Sequence, residues 1–146
     1  MERGVIADGL NIRPGEGIQV RGRVLADAKE FCIDLGKDCD NLLIRFNPRF
    51  AGHKDTLNTV ICNSKQNGVW GDEEEKLHFP FLRGELTKVS FTFATAAKVK
   101  VNMAEGQIFY LDRVGQQFSF PNRLGLEAIQ YVSVGGDFRV KGLNFF

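Results

Sequence analysis

The sequence predicts an all-β fold, an antiparallel sandwich or barrel, on three observations. Apolar residues recur with a period of two, turn-forming residues break these runs at short intervals, and no segment offers a long, capped amphipathic helix. Ile18, Val20 and Val24 alternate with Gln19, Arg21 and Arg23. Phe31, Ile33 and Leu35 alternate with Cys32 and Asp34, and Leu42, Ile44 and Phe46 with Leu43, Arg45 and Asn47. Val60 and Cys62 alternate with Ile61 and Asn63. Further along, Val89, Phe91 and Phe93, then Val99 and Val101, then Phe118 and Phe120, then Phe138 and Val140 repeat the pattern. Each run reads as a strand with one buried and one wet face. Pro14-Gly15, Gly36-Lys37-Asp38, Asn67-Gly68, Arg83-Gly84 and Gly135-Gly136-Asp137 read as the turns between them. Leu124 to Tyr131 fits either one helical turn or a strand. Neither an internal repeat nor a linker is visible, so residues 1–146 read as one domain.

Composition bounds the function. Hydrophobic residues are 43% and charged residues 25% of 146, a globular balance with enough chain for a core. Thirteen phenylalanines fit as aromatic filler between two facing sheets. Net charge is +1 and charges alternate in sign along the chain, so no strongly basic face and no nucleic-acid partner are expected. Cys32, Cys39 and Cys62 make an odd set without a CxxC pair, which reads as reduced, mostly buried thiols rather than a disulfide framework. His53 and His78 are too few and too scattered for a metal site, and no cofactor is expected. No apolar signal segment opens the chain and no run approaches a membrane span, so a cytosolic protein without membrane insertion is expected.

One polar constellation stands out. Arg45, Asn47 and Arg49 project from one face of a strand at i, i+2 and i+4. Asn63 lies on the next strand with Val60 and Cys62 on its other face, and Trp70 follows beside Gly71 and the acidic run Asp72 to Glu75. His53 lies in the loop between the two strands. Guanidinium, amide and carboxylate groups around one indole suit a pyranose, whose C–H face covers an aromatic ring while fixed donors and acceptors read its hydroxyls. Spacing alone favours the plainer reading, a solvated polar face with Trp70 partly in the core.

The run Arg45-Phe46-Asn47-Pro48-Arg49-Phe50 is followed in order by Val60-Ile61-Cys62-Asn63-Ser64-Lys65, Val69-Trp70-Gly71-x-Glu73, Phe79-Pro80-Phe81 and Phe118 to Leu124. This series resembles the galectin family, and the likeness extends from Leu10-Asn11-Ile12-Arg13-Pro14-Gly15-Glu16 to Gly136-Asp137-Phe138. It is most similar to the prototype subgroup. The resemblance implies a jelly-roll-like β-sandwich, a non-enzymatic carbohydrate-recognition domain for β-galactosides such as lactose or N-acetyllactosamine on glycoproteins. It implies that Asn47 and Arg49 bind the O4 region of galactose, Asn63 binds O6 and Trp70 stacks on the ring. Glu73 then pairs with Arg49 and accepts from the second sugar, and His53 contacts an extended ligand. A homodimer through terminal strands near Val5-Ile6-Ala7 and Val140 to Phe146 is implied, able to cross-link glycoproteins. Export without a signal peptide is implied as well.

Two positions depart from the family pattern. Arg45 stands where the family has the histidine that reaches O4, and Glu75 where it has an arginine that supports the glutamate. A charged hydrogen bond contributes about 1.5–3 kcal/mol, so losing both contacts would abolish useful lactose binding. Alternatively, Arg45 pairs with Glu75 or reaches O4 itself. The segment from His53 to Asn63 is one residue longer than in the subgroup. An insertion of about ten residues, including Ile108-Phe109-Tyr110-Leu111, falls between Val101 and Phe118. It reads as a longer hairpin or as a new contact surface. Glycoside hydrolysis is not expected, because the carboxylates from Asp72 to Glu75 sit together on one loop and cannot straddle a bond.

Overall fold

The computed structural model describes residues 3–52, 57–104 and 116–146. His53 and the Ile108 to Leu111 stretch of the insertion lie outside the described residues. Among those residues there is no helix. The strands, in chain order, are β1 (Arg3–Ala7), β2 (Gly17–Val24), β3 (Phe31–Asp38), β4 (Asn41–Arg49), β5 (Thr59–Gln66) and β6 (Val69–Trp70). They continue with β7 (Glu74–Lys76), β8 (Leu86–Thr95), β9 (Lys98–Met103), β10 (Gln116–Pro121), β11 (Tyr131–Gly136) and β12 (Phe138–Phe145). A seven-stranded sheet runs β1-β11-β3-β4-β5-β6, with β7 also paired to β5, and a five-stranded sheet runs β10-β9-β8-β2-β12. All pairings are antiparallel, and the two sheets form the expected sandwich.

The period of two is realised as packing. On β2, Ile18, Val20 and Val24 are fully buried, as are Phe91 and Phe93 on β8 and Val99 and Val101 on β9, within about 1%. They meet Phe31, Ile33, Leu35, Ile44, Phe46, Val60 and Cys62 from the other sheet in one core. Rings bridge the sheets: Phe46 on β4 lies edge-on to Phe91 at 5.6 Å, and Phe31 on β3 stacks on Phe138 of β12 at 4.7 Å. Phe81 sits edge-on to both Phe31 and Phe46, which fixes the segment after β7 against the core.

The turn readings hold at Pro14-Gly15, Asn67-Gly68 and Arg83-Gly84, whereas Gly135 and Gly136 end β11 and only Asp137 separates it from β12. Asn67 (φ 50°) and Gly68 (φ 80°) both take the left-handed conformation, which a two-residue hairpin turn between β5 and β6 requires. Gly36 instead lies inside β3, opposite Leu42 at a bulge, and the β3–β4 turn is made by Cys39 and Asp40. Its hydrogen is needed because a Cβ there would lie 2.2 Å from the Asn41 carbonyl oxygen. Residues 124–130 form neither a helical turn nor a strand. They make a single bridge, Ile12 with Ile129, held by reciprocal backbone bonds of 2.8 and 2.9 Å. Of the three thiols, all free, Cys32 and Cys62 are buried and Cys39 is exposed. Burial pushes both inner thiols up to about 12.

The two sheets differ in charge. The five strands of the smaller sheet contain Arg or Lys at seven positions and no Asp or Glu. The near-zero net charge therefore conceals a basic face, contrary to the sequence expectation. Charges that alternate along the chain are sorted by topology, because the acids fall in turns and on the other sheet.

Candidate carbohydrate site

The open face of the seven-stranded sheet carries the predicted constellation, and strand register sets its rows. Arg45 on β4 lies between Asp34 on β3 and Asn63 on β5. Asn47 lies beside Ile61, which has Glu75 of β7 on its far side. Arg49 lies between Glu30 and Thr59. Pro48, on the core-facing side of β4, leaves the alternation intact, since Phe46 stays fully buried and Asn47 and Arg49 remain on the other face.

Arg45 is held hard. Its Nε and Nη2 donate to the two oxygens of Asp34 at 2.9 and 2.8 Å, a bidentate fork. These bonds raise the arginine pKa further, so the guanidinium stays charged. Its other face matters as much: the guanidinium carbon lies 4.7 Å over the centre of the Trp70 ring. Lys65, opposite Trp70 in the β5–β6 register, places its Nζ 5.0 Å from the same ring. The indole is thus braced by cations and still 40% exposed. Arg45 does not pair with Glu75. The register puts Asp34 on the neighbouring strand, while Glu75 lies two strand spacings away, about 10 Å. Glu75 instead accepts from Thr59 Oγ1 at 3.0 Å.

The two asparagines are buried and mostly spoken for. Asn47 donates through Nδ2 to the Phe31 carbonyl at 2.8 Å and to Glu30 at 3.3 Å, and its Oδ1 accepts from Arg49 Nε at 2.9 Å. Both amide hydrogens are used and one Oδ1 lone pair is left. Asn63 is the reverse case. Its Nδ2 donates to the Gly71 carbonyl at 3.0 Å, and its Oδ1 accepts from the Ser64 N–H at 2.8 Å and from Arg123 at 3.4 Å. One N–H is left. A fixed acceptor at Asn47, the planar donors of Arg49 beside it and a fixed donor at Asn63 form a pattern that hydroxyl groups satisfy by both giving and taking.

Arg123, from the segment after β10, has a role the sequence did not disclose. It donates to Ser64 Oγ, to the Asp72 carbonyl at 2.8 Å and to Glu74 at 3.2 Å, while its guanidinium covers the Phe120 ring at 4.8 Å. It ties the β6–β7 segment, and therefore Trp70, to β5. A Cβ at Gly71 would press on Ser64 Oγ at 3.1 Å and on Arg123 at 3.2 Å, so glycine permits this close approach. Arg123 lies within the Phe118 to Leu124 run, where nothing local marks its reach across the sheet. Glu73 is exposed in the segment between β6 and β7. Glu74 is turned away to Arg123 and Lys76. Among the described residues no group of His, Cys, Asp and Glu is placed to hold a metal ion.

Residues 4–145 match the family model described as galactoside-binding lectin. The chain is 46% identical to the 16 kDa beta-galactoside-binding lectin of Gallus gallus over 145 residues, 99% of each chain. It is 47% identical to galectin-1 of Ovis aries over the same coverage. Its fold superposes on CG-16, a homodimeric agglutinin from chicken liver, with a TM-score of 0.84 and 44% identity, covering 97% of this chain and 98% of that one. The toad ovary galectin in complex with thio-digalactose superposes with a TM-score of 0.86 and 32% identity over the whole of both chains. With the strand order, the braced indole and the buried asparagine pair, these likenesses place the chain in the galactoside-binding lectins, the galectin family.

Proposed function

We propose that this protein is a lectin for β-galactosides, binding galactose-ended glycans such as lactose or N-acetyllactosamine on the open face of the seven-stranded sheet. The observation that carries the reading is the spare acceptor of Asn47 and the spare donor of Asn63 on one face beside a half-exposed Trp70. A galactose hydroxyl donates to Asn47 Oδ1 and accepts from Arg49, a second accepts from Asn63, and the sugar C–H face meets the indole. Glu73 turns to Arg49 and to the second sugar. His53 meets a longer glycan. Arg45 keeps one unshared guanidinium nitrogen after its fork to Asp34 and offers it in place of the family histidine. Retention on immobilised lactose, with elution by free lactose and loss of retention in Trp70→Ala, tests this; flow-through of the unmodified protein contradicts it.

One observation favours a second reading, a galectin scaffold that has lost ordinary lactose binding. The Arg45 guanidinium lies over the ring on which a galactose would stack. In that case Arg45→His alone, by uncovering the indole, produces retention that the unmodified chain lacks.

The lectin is proposed to act as a homodimer and without enzymatic activity. β1 and β12 end their sheets on the same side of the sandwich, and Ile6, Phe145 and Phe146 on or next to them are each about half exposed. Such apolar edges invite pairing with a second copy, and two sites per dimer then cross-link glycoproteins. A monomeric mass by light scattering at micromolar concentration contradicts the dimer. Release of galactose from a chromogenic galactoside contradicts the absence of hydrolysis. Three free thiols support residence in the cytosol, with export by a route that needs no signal peptide.

A further inference from the structure

The outer face of the five-stranded sheet is built from cations. On β2 the buried Ile18, Val20 and Val24 leave Gln19, Arg21 and Arg23 facing outward. On β8 and β9 the same alternation turns out Lys88, Ser90 and Thr92, then Lys98, Lys100 and Asn102. On β12 the burial of Phe138 turns out Arg139. The register then sets like charge against like, with Arg23 directly opposite Arg139. Like charges facing across strands destabilise a sheet, and no strand of this sheet supplies a carboxylate.

Among the described residues neither Arg23 nor Arg139 has an ion-pair partner. Glu16 accepts from the Arg13 N–H in its own turn, and Asp137 accepts from the N–H groups of Lys29 and Glu30 on the opposite side of the β11–β12 turn. Glu85 precedes β8 at one margin. Two acids of the β9–β10 connection, Glu105 and Asp112, lie outside the described residues. Arg21 sits over Gly142, where a Cβ would meet its Nη2 at 2.6 Å, and its buried Nε has no hydrogen-bond partner. Arg23 spends one N–H on the Gly84 carbonyl at 2.7 Å, which fixes its direction without neutralising it.

We propose that this face binds a sulfated linear polysaccharide of the heparin class, independently of the galactoside site on the other sheet. Three strand spacings separate β12 from β9, so the cations span about 14 Å across the sheet. That suits a chain with repeated anions rather than one small ion. The groups between them are amides and hydroxyls: Gln19, Ser90, Thr92 and Asn102. These match the hydroxyls of a sugar polymer as the cations match its sulfates. Phe146 lies on this face over Gly17, at the far end of β2 from Arg23 and Arg139, so no described ring stands among those cations to stack on a nucleic-acid base.

The test is retention of the full chain on immobilised heparin, run as a salt gradient with and without lactose. The expected result is retention above physiological ionic strength, unaffected by lactose, and at least tenfold weaker binding for Arg23→Thr/Lys100→Thr/Arg139→Thr. That variant is also expected to melt at the same or a higher temperature, because it relieves the Arg23–Arg139 opposition, so loss of binding cannot be assigned to unfolding. Three results would overturn the proposal: no retention at physiological salt, retention unchanged in the triple variant, or elution by lactose. Equal binding of duplex DNA or of phosphatidylserine vesicles through the same three residues would also overturn it, by removing the preference for a sulfated sugar.

Discussion

The two faces of the sandwich use charge in opposite ways. On the seven-stranded sheet nearly every ion has an internal partner: Arg45 grips Asp34, Arg123 and Lys76 share Glu74, and Glu75 takes the Thr59 hydroxyl. What remains is a few fixed donors and acceptors around an indole, a surface ordered before any ligand arrives and suited to a neutral one. On the five-stranded sheet the strands carry no carboxylate, and Arg23 stands directly opposite Arg139. A shared core supports both, so the contrast lies in side-chain placement rather than in backbone architecture.

The harshest way to break the comparison is through that core. Phe46→Ala removes a fully buried ring that touches Phe81, Phe91 and Phe118. A loss of about 3–5 kcal/mol in urea unfolding is expected, with both faces lost together. Next comes the indole. Trp70→Ala is expected to weaken lactose binding by 2 kcal/mol or more, roughly 30-fold, while leaving heparin retention unchanged. Equal loss at both faces would show that they are not independent.

Asp34→Ala tests the internal pairing. It leaves the half-buried Arg45 without its fork, with an expected cost of about 1–3 kcal/mol in stability. A pH titration of stability separates the thiols from the surface charges. Folded Cys32 and Cys62 titrate only near 12, above the range of an unfolded thiol. The unfolded chain therefore loses these protons first. Stability is full below about pH 8.5 and falls as pH rises toward 12. In the folded protein, iodoacetamide at pH 8 is expected to modify Cys39 alone.

Much of the fold was legible because alternation has a direct structural counterpart: Ile18-Val20, Phe91-Phe93 and Val99-Val101 could bury only one face. β11 escaped because Tyr131–Gly136 is buried on nearly every residue, which removes the period that marks a half-wet strand. β6 and β7 are two and three residues long, too short for any period. At the site, Asn47, Arg49, Asn63 and Trp70 were legible as a motif and lie on one face. The partner of Arg45 was not, because Asp34 becomes its neighbour only through the β3–β4 register. Arg123 was hidden for the same reason, sixty residues from Asn63. The basic face could not be read from net charge, since only the strand order β9-β8-β2-β12 brings its cations together.

The most direct test of the central claim is a calorimetric titration of the unmodified protein with lactose, beside Arg45→His/Glu75→Arg. The account predicts saturable binding by the unmodified chain at one site per chain, tightened in the double variant. No binding by the unmodified chain under conditions where the double variant binds would contradict it, and would mark the site as a galectin scaffold closed by Arg45.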